Sequence, residues 1–153
     1  MELIRFKHSR FSTHLPAGFM YSPSHYWMAE DTQEEGLWRV GFTKFATRML
    51  GELVEAEFET EIGSPVAPGQ ALGWVEGFKA ASDVFCTMEG TFRGGNPTLD
   101  EDACIVRSSP YEEGWLYSVQ GKPEAEAMDV QGYITLLEKT ITKMQEDPQY
   151  AQD

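Results

Sequence analysis

Gln70-Ala71-Leu72-Gly73-Trp74-Val75, Glu76-Gly77-Phe78-Lys79-Ala80-Ala81-Ser82-Asp83 and Val84-Phe85-Cys86-Thr87-Met88 follow one another without a break, and this stretch decides the fold. The first run is apolar-rich and is entered through the turn dipeptide Pro68-Gly69. The last is β-branched and aromatic and stops at Glu89-Gly90. Two strands flanking a short connection of small residues predict a hairpin with Lys79 at or beside its tip. Lys79 is the only basic residue between Arg48 and Arg93, while residues 49–92 hold eight acids. A lone lysine is, in most proteins, a solvated surface charge. This one stands on a turn, and Ala80, Ala81 and Ser82 leave its stem open to a modifying enzyme.

Outward from the hairpin, short β-rich runs alternate with turn signals. Strands are expected near residues 20–29, 37–42, 52–59, 71–78, 84–88, 91–93, 104–107 and 115–119, separated by Gly63-Ser64-Pro65, Val66-Ala67-Pro68-Gly69 and Gly94-Gly95-Asn96-Pro97. This spacing predicts a mainly β sandwich or barrel. A short helix is expected at 44–50, with Thr43 as its N-cap and Gly51 just past its end. Near the C-terminus Val130, Tyr133, Ile134, Leu137, Ile141 and Met144 share one helical face, with Asp129 placed to cap it. That helix should lie on the sandwich. A polar tail follows over residues 148–153.

With 153 residues, 41% of them hydrophobic and none in a long apolar run, the chain is read as one domain able to bury a core. No stretch reaches transmembrane length, so no membrane insertion is expected. A net charge of −13 disfavours nucleic acid and anionic membranes and suits docking on basic partner surfaces. Residues 1–23 run against this balance, with Arg5, Lys7 and Arg10 against Glu2 alone. Pro16-Ala17-Gly18 interrupts any long amphipathic helix there, and no secretory-type apolar segment is present. Residues 1–20 are therefore read as an N-terminal extension that packs on the domain or touches a partner through Phe6, Phe11, Leu15, Phe19 and Met20.

Cys86 and Cys104 make no disulfide framework and no CxxC metal pattern. Both sit in apolar runs, and burial as small hydrophobes is the ordinary role for such thiols. His8, His14 and His25 lack metal-ligand spacing, so surface or capping roles are expected and no metal is implied. An enzyme would need a nucleophile with its base, or metal ligands, converging on a pocket. The sequence offers no such arrangement.

Several separately spaced motifs agree in order with one family. Val40-Gly41-Phe42-Thr43-Lys44-Phe45-Ala46, Leu50-Gly51-Glu52-Leu53-Val54, Gly73-Trp74-Val75-Glu76 and Lys79-Ala80-Ala81-Ser82-Asp83 together resemble the H protein of the glycine cleavage system. Gly90, Asn96 and Ser109-Pro110-Tyr111-Glu112-Glu113-Gly114-Trp115 extend the match, and Tyr21-Ser22-Pro23-Ser24-His25-Tyr26-Trp27 resembles the family's opening strand. The likeness spans roughly residues 21–145, within a carrier domain drawn at 21–147. It implies a flattened β-sandwich of the lipoyl-domain type, with a C-terminal helix, and lipoate in amide linkage on Lys79. It also implies a non-enzymatic carrier, a monomer when free. The partners would be lipoate-attaching enzymes, glycine decarboxylase, the aminomethyltransferase and a dihydrolipoyl dehydrogenase. Biotin carriers keep methionines around their lysine, whereas Phe78 and Ala80 stand here. An unlipoylated binding or regulatory module is the alternative that needs no cofactor.

Departures from the family pattern fall around the cargo. Glycine-cleavage members carry a glutamate in the opening strand that helps hold the amine of the aminomethyl group; Tyr26 stands there in this chain. A neutral phenol gives up a charge-assisted contact worth about 1.5–3 kcal/mol. Ser24, Asp83 and Glu76 keep their places as cleft or recognition positions. Gly77-Phe78, Thr87-Met88-Glu89 and Arg107 also differ from the usual residues. With the extension Arg10–Pro16, these changes resemble the lipoate-binding proteins of bacterial sulfur oxidisers more than the glycine-cleavage members, so sulfur oxidation is the leading expectation and glycine cleavage the alternative. That likeness implies a cytoplasmic carrier of sulfur-bound intermediates beside a heterodisulfide-reductase-like complex; a eukaryotic source would place the chain in mitochondria instead.

Overall fold

Tyr26 and Met28 turn their side chains into one core while Trp27, between them, turns into another, and this alternation along a single strand organises the molecule. The computed structural model describes residues 1–147. In chain order the elements are β1 (Leu3–His8), β2 (Phe11–Pro16), β3 (Met20–Tyr21), β4 (Tyr26–Glu30), β5 (Leu37–Phe42), α1 (Lys44–Leu50), β6 (Leu53–Phe58), β7 (Pro65–Val66), β8 (Ala71–Gly77), β9 (Ala81–Phe85), β10 (Met88–Gly95), α2 (Ile105–Ser108), β11 (Tyr117–Pro123) and α3 (Val130–Glu146). A 3-10 turn spans Pro97–Asp100.

Six strands form one sheet in the order β3-β4-β5-β11-β10-β7, and β6-β8-β9 form a second. Val40, Phe42, Leu72, Val75, Val84, Met88, Phe92, Tyr117 and Val119 fill the space between them. The fold is the mainly β sandwich with a short internal and a C-terminal helix that the sequence pattern leads one to expect. The second core lies on the outer side of the six-stranded sheet, where Tyr21 and Trp27 meet Tyr133, Leu137 and Ile141 of α3 and Phe45 of α1. The hairpin β1–β2 closes this core with Phe6, Phe11 and Leu15. Phe19 packs against it half-buried, whereas Met20 joins the first core.

Both expected helices form. Asp129 caps α3 by accepting from Gly132 N, and its predicted stripe faces inward, Val130, Tyr133, Leu137 and Ile141 buried and Ile134 and Met144 partly so. Thr43 precedes α1 but makes no side-chain cap bond. Its hydroxyl is instead 2.7 Å from the Tyr133 hydroxyl, a tie between α1 and α3. Gly51 ends α1 at φ 77°, the backbone region that favours glycine at a helix terminus.

Three expectations fail locally. The strand expected over 20–29 is broken into β3 and β4 by a tight turn, in which Ser22 N donates to Tyr26 O at 2.8 Å and His25 adopts φ 72°. A three-residue hairpin connection ends in a left-handed residue, and histidine accepts that conformation more readily than β-branched residues do. The run 104–107 is not a strand; Ile105–Ser108 is one turn of helix, α2. Asp102 Oδ1 accepts from Cys104 N at 3.1 Å and starts that turn, which a four-residue apolar run cannot announce by periodicity. Pro65–Val66, expected inside turns, pairs briefly with Gly90–Thr91. The polar tail 148–153 lies outside the described residues.

Asn96 ties the lower loops together. Its amide donates to Glu113 O and Trp115 O at 2.8 and 2.9 Å, and its carbonyl accepts from Thr98 N at 3.1 Å.

His25 adds a pH dependence. It is no surface histidine: its ring packs on Phe45, and Nδ1 lies 2.9 Å from the Tyr133 hydroxyl. Burial lowers its pKa to about 4. Because the unfolded imidazole titrates near 6.5, the unfolded state binds more protons between these values. Stability is then lost as pH falls from about 6.5 to about 4, by on the order of 3 kcal/mol. Thermal melts across that window should show the loss, and His25→Asn, which tolerates the left-handed backbone, should show a flatter acid limb.

Candidate functional site

The tip of the β8–β9 hairpin is held from below by the end of α1. Gly77 N donates to Ala80 O at 2.9 Å and closes the turn. Phe78 N donates to Glu52 O at 3.0 Å, Lys79 N to Leu50 O at 3.0 Å and Ala80 N to the same oxygen at 3.3 Å. The last carbonyls of a helix lack partners within it; here the Leu50 carbonyl finds two in the hairpin tip. Two glycines permit the contact. A Cβ on Gly77 would collide with the Leu50 carbonyl oxygen, and one on Gly51 would stand 3.0 Å from Lys79 Cγ and 3.1 Å from Lys79 N.

Lys79 itself is exposed, and neither of the two ion pairs among the described residues involves it. Phe78 beside it is 76% exposed. The result is a primary amine on a fixed post, in reach of a macromolecule. A lysine shaped in this way fits an acyl group in amide linkage, because neither its backbone geometry nor a buried partner opposes modification.

The structure brings some of the sequence-derived site residues together and separates others. Trp74 pairs with Asp83 and Glu76 with Ala81, so Glu76 and Asp83 lie on one exposed face of the hairpin below Lys79. Tyr26 is only 3% exposed; its ring packs on Phe42, and its hydroxyl accepts from Phe85 N at 2.9 Å. Burial pushes its phenol up to about 12, partly offset by the Phe85 N–H and reinforced by the nearby Asp83 carboxylate. Tyr26 thus stands as a neutral post close to Asp83, behind the hairpin rather than open to solvent. Ser24 is set apart from this pair: its hydroxyl is 2.7 Å from that of Ser22, which in turn donates to Glu124 at 3.4 Å.

Sequence reasoning overlooked Tyr117 and Glu124. Tyr117 donates to Phe85 O at 3.0 Å and accepts from Thr87 N at 3.1 Å, so Tyr26 and Tyr117 together fasten the outgoing end of the lysine hairpin. Glu124 is a half-buried carboxylate whose pKa is raised, first by burial and then by Glu126. Its sequence surroundings, Pro123 to Ala127, carry no pattern that would mark it. Cys86 is buried, as expected, and its thiol donates to Met88 O at 3.0 Å. Cys104 departs from the expectation: it is exposed, and the Glu52 carboxylate raises its pKa. The helical turn at α2 carries it outward where a strand would have carried it in.

A groove of about 490 Å³ between Phe19, Trp27, Tyr111 and Trp115 is lined by none of Lys79, Glu76, Asp83, Ser24 or Tyr26. Lys79 stands outside this groove, on the exposed tip of a hairpin in a β-sandwich.

Comparison with known proteins names the class more closely. The family model for the glycine cleavage H-protein matches residues 19–146. The glycine cleavage system H protein of Micrococcus luteus is 39% identical over 124 residues, covering 79% of this chain and 95% of that protein. The corresponding protein of Corynebacterium jeikeium is 38% identical over 122 residues, with the same coverages. A crystal structure of a glycine cleavage system H protein from Mycobacterium marinum superposes with a TM-score of 0.71 at 30% identity, covering 81% of this chain and 99% of that one. The chain belongs to the glycine cleavage H-protein family, whose members are non-enzymatic carriers with lipoate attached covalently to a lysine.

Proposed function

We propose that Lys79 is the lipoylated residue and that the chain passes the aminomethyl group from glycine decarboxylase to the aminomethyltransferase. The observation that carries the first part is the tip geometry, in which three consecutive backbone N–H groups, Phe78 to Ala80, are fixed while the Lys79 side chain is left free. Lipoate supplies a cyclic disulfide that opens to a dithiol, able to hold a fragment on sulfur and to take up two electrons. The chain's own residues hold the post still, keep the amine accessible and offer Asp83 as the carboxylate nearest to Tyr26 for a cationic cargo. The relatives named above favour glycine cleavage over the sulfur-oxidation reading.

Tyr26 is the one observation that favours sulfur transfer beside a heterodisulfide-reductase-like complex, because a phenol bonded to Phe85 N offers no negative charge to an amine. The two readings separate in one experiment. Protein from a lipoate-competent host is checked by intact mass for lipoate on Lys79 and incubated with glycine and glycine decarboxylase. Loading followed by release to the aminomethyltransferase supports glycine cleavage. Lipoylated protein that is not loaded, and that serves a heterodisulfide-reductase-like complex, overturns it. In either case Tyr26→Phe, which leaves the Phe85 N–H without its acceptor, is expected to lower stability by about 1–3 kcal/mol in denaturant titration.

A further inference from the structure

Charge is segregated along this molecule in a way that the carrier function does not explain. Residues 1–16 and α1 together hold five of the twelve basic residues (Arg5, Lys7, Arg10, Lys44 and Arg48) and one of the 25 acids, Glu2. These 23 residues carry +4, which leaves −17 on the other 130 of a chain of −13. Arg5, Lys7 and Arg10 belong to the hairpin, Arg48 reaches its edge from α1, and Lys44 lies one helical turn before Arg48. In the β1–β2 register Arg5 faces His14 and Lys7 faces Ser12, all four exposed or half-exposed on the outer side, while Phe6, Phe11, Thr13 and Leu15 turn inward. Arg10 stands in the connecting turn, and the Arg48 guanidinium lies 5.7 Å from the centre of the Phe11 ring. The ion pairs among the described residues, Arg93 with Glu34 and Lys122 with Glu89, use none of the five.

This surface is rigid and borders the lysine post. Phe11 meets Phe45 of α1 edge-on at 5.6 Å, and the hairpin turn is tied to α3 by His8 to Thr142 at 3.2 Å and by Gln145 to Ser9 at 2.8 Å. The same helix, α1, that carries Lys44 and Arg48 ends in the Leu50 carbonyl that accepts from Lys79 N. Seven helical residues span about 10 Å, so whatever rests on the basic face has the Lys79 tip at its rim. The hairpin is also an addition to the family plan. The family match begins at residue 19, and four-fifths of this chain already accounts for 95–99% of the relatives' length.

We infer that the outer face of the β1–β2 hairpin, with Lys44 and Arg48, docks an acidic surface on an enzyme that loads or empties the arm on Lys79. With a Debye length of about 8 Å, a compact acidic patch feels chiefly the cations it touches. A membrane or a nucleic-acid duplex is an extended anion that would also meet the −17 of the remainder. A second copy of the chain brings a net repulsion of −13 against −13. The charge asymmetry orients the approach, raising the encounter rate more than the turnover.

The inference rests on Lys79 being the lipoylated residue, and the test keeps the two apart. Wild type and an Arg5→Glu/Lys7→Glu/Arg10→Glu variant are lipoylated, confirmed by intact mass and by matching melting curves. Both are then offered to a lipoate ligase (as unmodified protein), glycine decarboxylase, the aminomethyltransferase and dihydrolipoyl dehydrogenase across salt from about 0.02 to 0.5 M. With at least one of these enzymes, wild-type kcat/KM should fall about tenfold as salt rises. The reversal variant should start at the low value, with kcat unchanged and no salt dependence. An Arg5→Gln/Lys7→Gln/Arg10→Gln variant should fall between them, and this second variant carries the test if the reversal variant unfolds. Equal kcat/KM for all proteins with all four enzymes overturns the docking surface while leaving the carrier reading standing. Binding of wild type, but not the variants, to phosphatidylserine vesicles, or its self-association in sedimentation, assigns the face to another occupant and also overturns the proposal. Failure to lipoylate Lys79 in wild type sinks the carrier reading instead.

Discussion

Lys79→Arg is expected to abolish covalent lipoylation completely while leaving the fold unchanged. Arginine keeps the charge and the stem, and the backbone bonds from residues 78–80 to Leu50 and Glu52 do not involve the side chain. What changes is the nucleophile: a guanidinium stays protonated, whereas an amine can lose a proton and attack an activated acyl group. Intact mass after expression in a lipoate-competent host should show wild type heavier by one lipoyl increment and the variant at its unmodified mass. Thermal melting should agree between unmodified samples to within the usual range of a surface substitution, about 0.5 kcal/mol. A variant that still gains the increment would place lipoate on another lysine, with Lys44 of α1 the nearest in sequence.

The post was legible from sequence because strand patterns on both sides of Lys79 left only a tight connection between them. Lys79 could be placed at a tip without any knowledge of what lies beneath. The seat under the tip was not legible. Leu50 and Glu52 act through backbone carbonyls, which have no sequence signature, and only Gly51 and Gly77 hint that two chains approach closely. Tyr26, standing where the family has a glutamate, is expected among the cleft residues, and its sequence context gives no sign that it is buried with its hydroxyl accepting from Phe85 N. The two-residue alternation of Ile4, Phe6, Phe11, Thr13 and Leu15 is present in the sequence, but the turn at Ser9–Arg10 that folds it into a hairpin carries no Gly or Pro signal. At 104–107 the apolar run is real but too short for its period to separate helix from strand, and the Asp102 carboxylate accepts from Cys104 N just before the helical turn.

Gly77→Ala is expected to destabilise the hairpin tip, though it touches no side chain that acts on a cargo. Gly77 stands where β8 leaves the sheet, and its own φ is not in the left-handed region, so backbone strain is not the issue. The obstacle is contact: an added Cβ would run into the Leu50 carbonyl oxygen, with the Ala80 carbonyl oxygen 3.3 Å away on the other side. A carbonyl fixed at a helix end cannot swing aside like a flexible side chain, so the hairpin tip must lift. Lifting it breaks or lengthens the bonds from Lys79 N and Ala80 N to Leu50 O and leaves that carbonyl unpaired again. Overpacking of this kind costs about 1–3 kcal/mol, measured as a lower midpoint in urea with an unchanged slope. The functional consequence follows from the lost seat. With the post mobile, the ligase must order it on binding, so kcat/KM for lipoylation should drop about tenfold, the equivalent of 1.4 kcal/mol. Ala80→Gly, which frees the tip without forcing it off Leu50, should cost less on both measures. If Gly77→Ala melts and is lipoylated like wild type, the carbonyl seat is not what holds Lys79 in place.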